Sequence, residues 1–408
     1  MMMEHERRYN EQTVPTPCFV VEEELLKRNL EILKSVIERT GCHILLAQKC
    51  FSMYHTYPLL SQYLSGTTAS GLYEAKLGKK YFGKETHVYS AAYRDDEMDE
   101  ILAICDHIVF NSFSQWIHFK EKCLKAKMSR PIEFGLRINP ECSTQEGHAI
   151  YDPCSPFSRM GITLKEFEKG VASYGLHGID GLHFHTLCEQ NADDLEITLN
   201  AVFDKFGKYL KEMKWLNIGG GHHITRKDYN ISLLKKCIKM AQDDYGLNVI
   251  LEPGEAVALD AGYMVSTVLD IVHNGIDIAI MDTSAACHMP DIIEMPYTPQ
   301  IFGGRIADKD DFNNISFDSG NIESQKSHDQ YLYRLAGPTC LAGDVIGDYI
   351  LNSPLNVGDK VIFKDMAIYT MVKTNTFNGM PLPDIVNMTK DGPKTIRKFN
   401  YEDFKNRL

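Results

Sequence analysis

The composition of this chain is that of an ordinary globular protein. It has 408 residues, of which 44% are hydrophobic, 24% charged and 10% aromatic, which excludes the disordered, fibrous and membrane-spanning classes. The formal net charge is −12. This charge argues against nucleic acid as the main partner, because phosphate binding needs clustered basic residues, but it permits a cationic substrate.

The cysteines and the N-terminal residues indicate a cytoplasmic protein. The eleven cysteines are odd in number, scattered, and form no CxxC pair, which favours reduced thiols over a disulfide framework or a zinc site. The first 17 residues contain no apolar signal-peptide core, and no stretch approaches 18 apolar residues. We therefore expect neither secretion nor a membrane span.

The first part of the chain alternates between helical and strand-like patterns. An amphipathic helix is predicted over residues 22–39, because Leu26, Leu30, Leu33 and Ile37 recur at helical spacing. Eight β-rich runs follow, at 44–48, 67–70, 87–90, 107–110, 133–138, 180–185, 215–218 and 248–252. Helical patterns separate them, at 54–64, 72–82, 95–105, 114–127, 164–174, 192–213 and 231–245.

Eight strands that alternate with helices predict a parallel (β/α)8 barrel of the TIM type over residues 22–262, rather than an open sheet. Beyond residue 262 the strand-like runs at 263–272, 276–281, 331–335 and 360–369 have no helices between them. With the N-terminal run 17–21 they predict a β domain formed by residues 1–21 and 263–408. The polar stretch 307–330 is predicted to be a surface insertion.

Four polar features stand at the carboxyl ends of the predicted barrel strands, where the active sites of such barrels lie. Lys49 follows the first strand, His185 ends the sixth and Glu252 ends the eighth. The seventh strand is followed by three glycines, Gly219, Gly220 and Gly221. We expect these features to converge on one mouth.

Each feature alone has a plain structural interpretation: a surface lysine, a packed histidine or a tight turn. Glu252, however, precedes Pro253 at the end of an apolar strand, and its carboxylate cannot be buried cheaply without a partner. Together, a lysine that can form a Schiff base, a phosphate cradle, a ring that stacks and a carboxylate for a pyridinium nitrogen match pyridoxal 5'-phosphate. The combination predicts a pyridoxal phosphate site.

The chain resembles the alanine-racemase-fold (fold type III) pyridoxal phosphate decarboxylases, and most closely the carboxynorspermidine/carboxyspermidine decarboxylases. The similarity covers nearly the whole chain. It is densest in the segments LLAQKCF, SGLYEAKLG, HVYSAAYRD, HIVFNS, LRINP, GLHFHTLCE, LNIGGGH, LEPGEA, DTSAACHMPDIIEMPY, GPTCLAGDVIGDY and YTMVKTNTFNG. The last four distinguish this group from diaminopimelate and ornithine decarboxylases.

The resemblance implies roles for the cofactor-binding residues. Lys49 would form the Schiff base with pyridoxal phosphate, and His185 would lie against its ring. Glu252 would pair with the pyridine nitrogen, while Gly219–Gly221 and the hydroxyl of Tyr369 would bind the phosphate. Arg137, in the LRINP segment, would hydrogen-bond near the cofactor.

The resemblance also implies roles in catalysis and substrate binding. Cys340 of the GPTC segment would protonate the product and would reach the site from the partner subunit, so a homodimer with shared active sites is expected. Asp344 would recognise the distal amine of the substrate. A structural alternative for Cys340 is a small buried hydrophobe, the usual state of a free cysteine.

One departure from ornithine-decarboxylase-like relatives concerns the residue after EPG, which is arginine in those relatives and Glu255 here. The closest family shares this glutamate. Glu255 offers a carboxylate to a substrate amine, and Asp291 is a second candidate. The plainer alternatives, a turn cap for Glu255 and a loop carboxylate for Asp291, stay open.

The expected reaction is decarboxylation of carboxynorspermidine or carboxyspermidine to norspermidine or spermidine. One alternative is decarboxylation or racemisation of another amino acid, such as diaminopimelate or a basic amino acid. A second is a catalytically inactive regulatory relative, although such proteins typically lose the lysine, the glycines or the cysteine. Four histidines near the predicted site lack acidic or thiol partners at ligand spacing, so no metal site is predicted.

Overall fold

The computed structural model describes residues 14–145, 150–313 and 330–408. The chain divides into two compact units, one of residues 27–257 and one of the segments before residue 27 and after residue 257. In chain order, the strands are β1 (Cys18–Glu22), β2 (His43–Ala47), β3 (Gly66–Ala69), β4 (Glu85–Tyr89), β5 (His107–Phe110), β6 (Glu133–Asn139), β7 (Ile162–Thr163), β8 (Gly181–His183), β9 (Trp215–Asn217), β10 (Asn248–Leu251), β11 (Gly262–Asn274), β12 (Ile276–Met281), β13 (Gly304–Ile306), β14 (Tyr331–Ala336), β15 (Val345–Leu351), β16 (Lys360–Lys364), β17 (Asp384–Thr389) and β18 (Gly392–Arg397).

The described α-helices are α1 (Glu23–Thr40), α2 (Tyr57–Leu60), α3 (Leu72–Tyr81), α4 (Asp95–Ile104), α5 (Phe113–Ser129), α6 (Leu164–Tyr174), α7 (Ala192–Leu210), α8 (Ile231–Tyr245), α9 (Glu255–Ala258), α10 (Ala285–His288), α11 (Asp291–Glu294), α12 (Lys309–Asn313) and α13 (Tyr401–Lys405). Within the described ranges, the helices are too short or too polar to cross a bilayer.

The first unit is built on a closed parallel barrel. Its ring runs β2-β3-β4-β5-β6-β8-β9-β10 and closes through the pairing of β10 with β2. This confirms the predicted (β/α)8 barrel. The short strand β7, which the sequence did not predict, adds to β6. The predicted helix at 54–64 is instead a 3-10 turn, Tyr54–Thr56, followed by α2.

The interior of the barrel is apolar at Trp215 and becomes polar two residues further along the strands. Trp215, at the start of β9, is fully buried, and a Cβ on Gly135 or Gly181 would lie only 2.3 or 2.0 Å from its ring. The indole therefore occupies the space that side chains at positions 135 and 181 of the neighbouring strands would need. Because strand side chains alternate in direction, His183 and Asn217 point the same way as Gly181 and Trp215, two residues further towards the mouth.

The second unit contains a nine-stranded sheet in the order β13-β15-β14-β12-β11-β1-β17-β18, with β16 paired to β11. This confirms a separate β domain. The predicted run 360–369 is wrong in its length, since β16 ends at Lys364 and Asp365 has a positive φ of 56°. Four further strands, β13, β15, β17 and β18, were not predicted. Of the predicted insertion 307–330, residues 314–329 lie outside the described residues.

The boundaries between the units differ by five residues from the predicted positions 22 and 262. Residues just before β11 hydrogen-bond within the second unit: the Asp260 N–H donates to the Asp365 carboxylate at 2.8 Å, and the Glu22 N–H donates to the Ala261 carbonyl at 2.8 Å. These bonds assign the turn that follows α9 to the β domain.

Candidate active site

Lys49 lies in the turn directly after β2. The turn is anchored by Gln48, which is fully buried, donates its N–H to the Thr68 carbonyl at 3.1 Å and accepts a hydrogen bond from the Tyr57 hydroxyl at 3.0 Å. The Lys49 side chain is solvent-accessible, yet the protein atoms around it lower the pKa of its amine by desolvation, and the charge of Arg137 lowers that pKa further. Among the described residues, Lys49 makes no hydrogen bond or ion pair.

The loop after β9 requires its three glycines. Gly219 and Gly221 have φ of +71° and +81°, a region that favours glycine. A Cβ on Gly219, Gly220 or Gly221 would come within 2.6, 2.2 or 2.0 Å of a backbone oxygen. The backbone is therefore packed as closely as a bare glycine chain allows, as in loops whose N–H groups approach a phosphate.

His185 is joined to this loop by a hydrogen bond, in which the Gly220 N–H donates to Nδ1 at 2.9 Å. Since Nδ1 is an acceptor, the proton of the neutral ring is on Nε2. Burial, with the charges of Lys49 and Arg137, holds the pKa of His185 well below its usual value. His185 is thus a neutral, fixed ring.

Glu252 follows β10 and is held by polar neighbours inside the barrel. Asn217 donates from Nδ2 to Oε1 at 2.7 Å, and His183 Nε2 lies 3.5 Å from Oε2. Burial raises the pKa of Glu252, but His183 and the Asn217 hydrogen bond outweigh burial, so its net pKa is lowered. Burial lowers the pKa of His183 to about 4. The carboxylate is therefore ionised beside a neutral imidazole.

Arg137, in β6, completes this end of the barrel. It is 4% exposed, its guanidinium lies 4.6 Å from the centre of the Tyr89 ring, and its Nη2 donates to the His185 carbonyl at 3.3 Å. The arginine therefore fixes the backbone that carries His185. In the first unit the structure brings together every predicted residue of the barrel mouth.

The second unit holds the predicted site residues Tyr369, Cys340, Asp291 and Asp344, whereas Glu255 lies in the first. Tyr369 follows β16 with φ of +53°, an uncommon conformation for a tyrosine and one that concentrates at functional sites. Cys340 is exposed and donates its thiol proton to Asn378 Oδ1 at 2.7 Å. This exposure contradicts the alternative that Cys340 is a buried apolar residue.

The predicted substrate-binding carboxylates all have partners. Glu255 Oε2 lies 3.2 Å from His223 Nε2, and Asp291 pairs with Lys373. Asp344 is 3% exposed, and both of its oxygens accept hydrogen bonds from protein donors. This saturation argues against the expected contact between Asp344 and a substrate amine.

Comparison with known proteins identifies the family. A model described as "Pyridoxal-dependent decarboxylase, C-terminal sheet domain" matches residues 86–367. A carboxynorspermidine/carboxyspermidine decarboxylase from Campylobacter jejuni is 43% identical and covers 96% of this chain and 98% of its own length. This chain belongs to the pyridoxal-dependent decarboxylase family.

Two further relatives match the chain over nearly its full length. The carboxyaminopropylagmatine decarboxylase of Synechocystis sp. is 40% identical and covers 97% of this chain and 96% of its own length. The crystal structure of carboxynorspermidine decarboxylase from Campylobacter jejuni, complexed with norspermidine, matches with a TM-score of 0.85 and 42% identity over 97% of this chain and 100% of that one.

The residues of the decarboxylase fit its pyridoxal phosphate cofactor. Lys49 has no hydrogen-bond or ion-pair partner among the residues that the structure describes, and its lowered pKa favours the neutral amine, the form that reacts with an aldehyde. The glycine loop leaves no room for side chains, as in loops whose backbone approaches a phosphate closely. Glu252 is an ionised carboxylate in the barrel, as a protonated pyridine nitrogen requires.

Three residues around the predicted site were not predicted from the sequence. Asn217 and His183 support Glu252, and Asn378 accepts the Cys340 thiol proton. For Asn217 a signal was present: it is a polar residue inside the apolar run WLNI, two positions after an inward-facing tryptophan. Asn378 lies in the segment YTMVKTNTFNG that carries the family resemblance, but it is 38 residues from Cys340, and no sequence pattern pairs the two.

Proposed function

We propose that this decarboxylase removes the α-carboxylate of carboxynorspermidine or carboxyspermidine, giving norspermidine or spermidine in polyamine biosynthesis. The observation that supports the substrate is the 43% identity, over nearly the full length of both chains, to an enzyme named for these two compounds. The diaminopimelate decarboxylase of Helicobacter pylori, at 18% identity and a TM-score of 0.79, shares the fold. The full set of polar residues at the barrel mouth argues against an inactive relative.

In this proposal the barrel residues hold and orient the cofactor. Lys49 Nζ would hold its aldehyde carbon, Gly219–Gly221 and the Tyr369 hydroxyl would hold its phosphate, and the neutral ring of His185 would contact its ring. Glu252 keeps a proton on the pyridine nitrogen, and Arg137 fixes the backbone of His185. When bound, pyridoxal phosphate supplies the electron sink for decarboxylation.

Cys340 is proposed as the general acid that gives its thiol proton to the product carbon. It is an exposed thiol whose proton already points to a hydrogen-bond acceptor, Asn378. A positioned proton donor accelerates such steps by about 10²- to 10⁴-fold. The functional unit is proposed to be a homodimer in which Cys340 of one subunit serves the barrel of its partner.

The polycationic substrate is proposed to be anchored by Glu255 and Asp291. Both carboxylates are only partly buried, with side-chain exposures of 17% each, and both already face a basic side chain. A substrate ammonium can replace such a partner, because exchange of one partly exposed ion pair for another costs little. The acidic balance of the chain, −12, favours the approach of a cation.

A second candidate substrate is carboxyaminopropylagmatine, because an enzyme named for it is 40% identical over nearly the full length. Steady-state CO2 release should be compared on carboxynorspermidine, carboxyspermidine, carboxyaminopropylagmatine, diaminopimelate, ornithine and arginine. We expect the highest kcat/KM on the first two. A preference for diaminopimelate, ornithine or arginine would refute a polyamine substrate, and a preference for carboxyaminopropylagmatine would select the second candidate.

Lys49→Ala tests the catalytic centre. The variant should lose the visible absorbance of the lysine-bound cofactor and its CO2 release, because no other amine is proposed to attach to the cofactor. Lys373→Ala is the control: it removes another lysine of the protein and should leave that absorbance intact. Turnover retained by Lys49→Ala would refute the assignment.

We also propose a cytoplasmic location. All eleven cysteines are free thiols in the structure, as is typical of proteins from reducing compartments. Fractionation of the native cells, with the protein followed by antibody, tests this location.

A further inference from the structure

We propose that Asp344 is a positioning residue that closes the loop carrying Cys340, and that it does not contact the substrate. This inference rests on the proposed role of Cys340 as proton donor. It concerns only residues of the second unit, in which the segments 283–291, 337–344 and 375–381 meet.

The carboxylate of Asp344 joins two of these segments. Its Oδ1 accepts from the Ser284 hydroxyl at 3.0 Å and from the Ala286 N–H at 3.4 Å. Its Oδ2 accepts from the hydroxyl and the N–H of Thr339, at 2.6 and 3.3 Å. A carboxylate offers about four acceptor positions, so the four protein donors occupy it. Thr339, on which two of these bonds converge, is the residue directly before Cys340.

The loop is also closed tightly by its backbone. The Gly337 N–H donates to the Asp344 carbonyl at 2.8 Å, and the Asp344 N–H donates to the Leu341 carbonyl at 2.9 Å. A Cβ on Gly337 would lie 2.3 Å from Asp344 Oδ2. The glycine of the GPTC segment is therefore required because the carboxylate packs directly over it.

The third segment completes a ring of contacts around the thiol. Asn375 donates from Nδ2 to the Ala286 carbonyl at 2.8 Å, next to the point where Asp344 binds. Three residues further on, Asn378 accepts the Cys340 thiol proton at 2.7 Å. Asp344 thus holds one side of the cysteine through Thr339, and it holds the other side through Ala286 and Asn375. Loss of the carboxylate should release the thiol from both sides.

Asp344→Asn tests the inference, because it keeps the shape of the side chain but replaces one acceptor oxygen with an NH2 group, which faces other hydrogen-bond donors. We expect kcat to fall about 10- to 100-fold, the cost of a misplaced general acid, with KM changed less than about twofold. Alkylation of Cys340 by iodoacetamide, followed by mass spectrometry, should become several-fold faster. This readout depends on the geometry of the loop and not on turnover.

The matched control is Asp348→Asn, the same substitution four positions later. Asp348 accepts two hydrogen bonds from Arg334, at 2.7 and 2.9 Å, and has no bond to the cysteine loop. It should keep the wild-type kcat, KM and alkylation rate. If Asp344→Asn does not fold, Ser284→Ala tests the inference instead, because it removes one hydrogen-bond donor to Asp344. It should show a smaller fall in kcat and a smaller rise in the alkylation rate.

Two results would overturn the inference. A KM raised tenfold or more with kcat unchanged would place the Asp344 carboxylate on the substrate. Unchanged kcat and unchanged alkylation would show that it does not position Cys340. Cys340→Ala distinguishes failure of this inference from failure of the proposed role of Cys340. If the kcat of this variant equals that of the wild type, Cys340 is not the proton donor. The alkylation rate of Cys340 in Asp344→Asn then decides by itself whether Asp344 positions the loop.

Discussion

Substitution of Gly219 by alanine separates the effect of backbone conformation from the effect of close packing. Gly219 and Gly246 have the same φ, +71°. A Cβ on Gly246 meets no atom within 4 Å, whereas a Cβ on Gly219 would lie 2.6 Å from the Phe184 carbonyl oxygen and 2.8 Å from His185 Cβ. Gly246→Ala therefore measures the conformational cost alone, and Gly219→Ala adds the clash to it.

The two costs can be estimated. A left-handed conformation costs an alanine about 1 kcal/mol relative to glycine, and forcing an extra carbon into a packed site costs about 1–3 kcal/mol more. At roughly 2–4 °C per kcal/mol for a domain of this size, Gly246→Ala should lower the Tm by about 3 °C. Gly219→Ala should lower it by about 6–12 °C.

The assay is thermal unfolding of the cofactor-free protein by circular dichroism, followed by absorbance titration with pyridoxal phosphate. Gly219→Ala should also bind the cofactor more weakly, since the clash displaces the loop whose N–H groups are proposed to meet the phosphate. Gly246→Ala should bind it normally. Equal Tm values and equal cofactor affinities for the two variants would refute the packing argument.

Two further predictions concern charged groups in the barrel. Asn217→Ala removes the 2.7 Å hydrogen bond to Glu252, so the pKa of that carboxylate should rise, and the pH dependence of cofactor absorbance should shift; an unchanged profile would exclude this role of Asn217. Burial raises the pKa of Glu85, but hydrogen bonds with His43 and His87 outweigh burial, so the net pKa lies below the usual 4.5. The resulting stability is present above pH 4.5 and is lost as the pH falls through the folded pKa. Glu85→Gln should therefore be less stable than the wild type at pH 6 by about 1 kcal/mol, a value reduced for its partial exposure. In denaturant unfolding this difference should shrink as the pH is lowered, and a constant difference would contradict the assignment.

The barrel could be predicted because its elements are local. Most of the strands are short, largely apolar runs between helical patterns, and all eight, including the polar run 67–70, could be located within a few residues of their observed bounds. In a parallel barrel the place of a residue in the sequence also predicts its place in the fold, because every strand has its carboxyl end at the same edge. Lys49, His185 and Glu252 could therefore be assigned to one mouth from their places after three separate strands.

The β domain was harder to predict because its pairings are not local. The strand β17 pairs in parallel with β1, so that Cys18 lies beside Asp384. Its sequence, DIVNMT, mixes polar and apolar residues and shows no strong period. Such a strand is stabilised by a partner more than 300 residues away, and no window of the sequence contains both.

Electrostatic context decides which of the predicted substrate carboxylates can serve a substrate. The sequence places Glu255, Asp291 and Asp344 in one class, since each is an acidic residue in a characteristic segment. In the structure, Glu255 and Asp291 face cationic or titratable partners that a substrate ammonium can replace at little cost. Asp344 is surrounded by neutral donors. To bind a substrate it would have to leave buried hydroxyl and N–H groups without acceptors, at about 1–3 kcal/mol for each group. A carboxylate can therefore serve a substrate from a partly exposed ion pair, whereas it organises structure where its oxygens are already saturated.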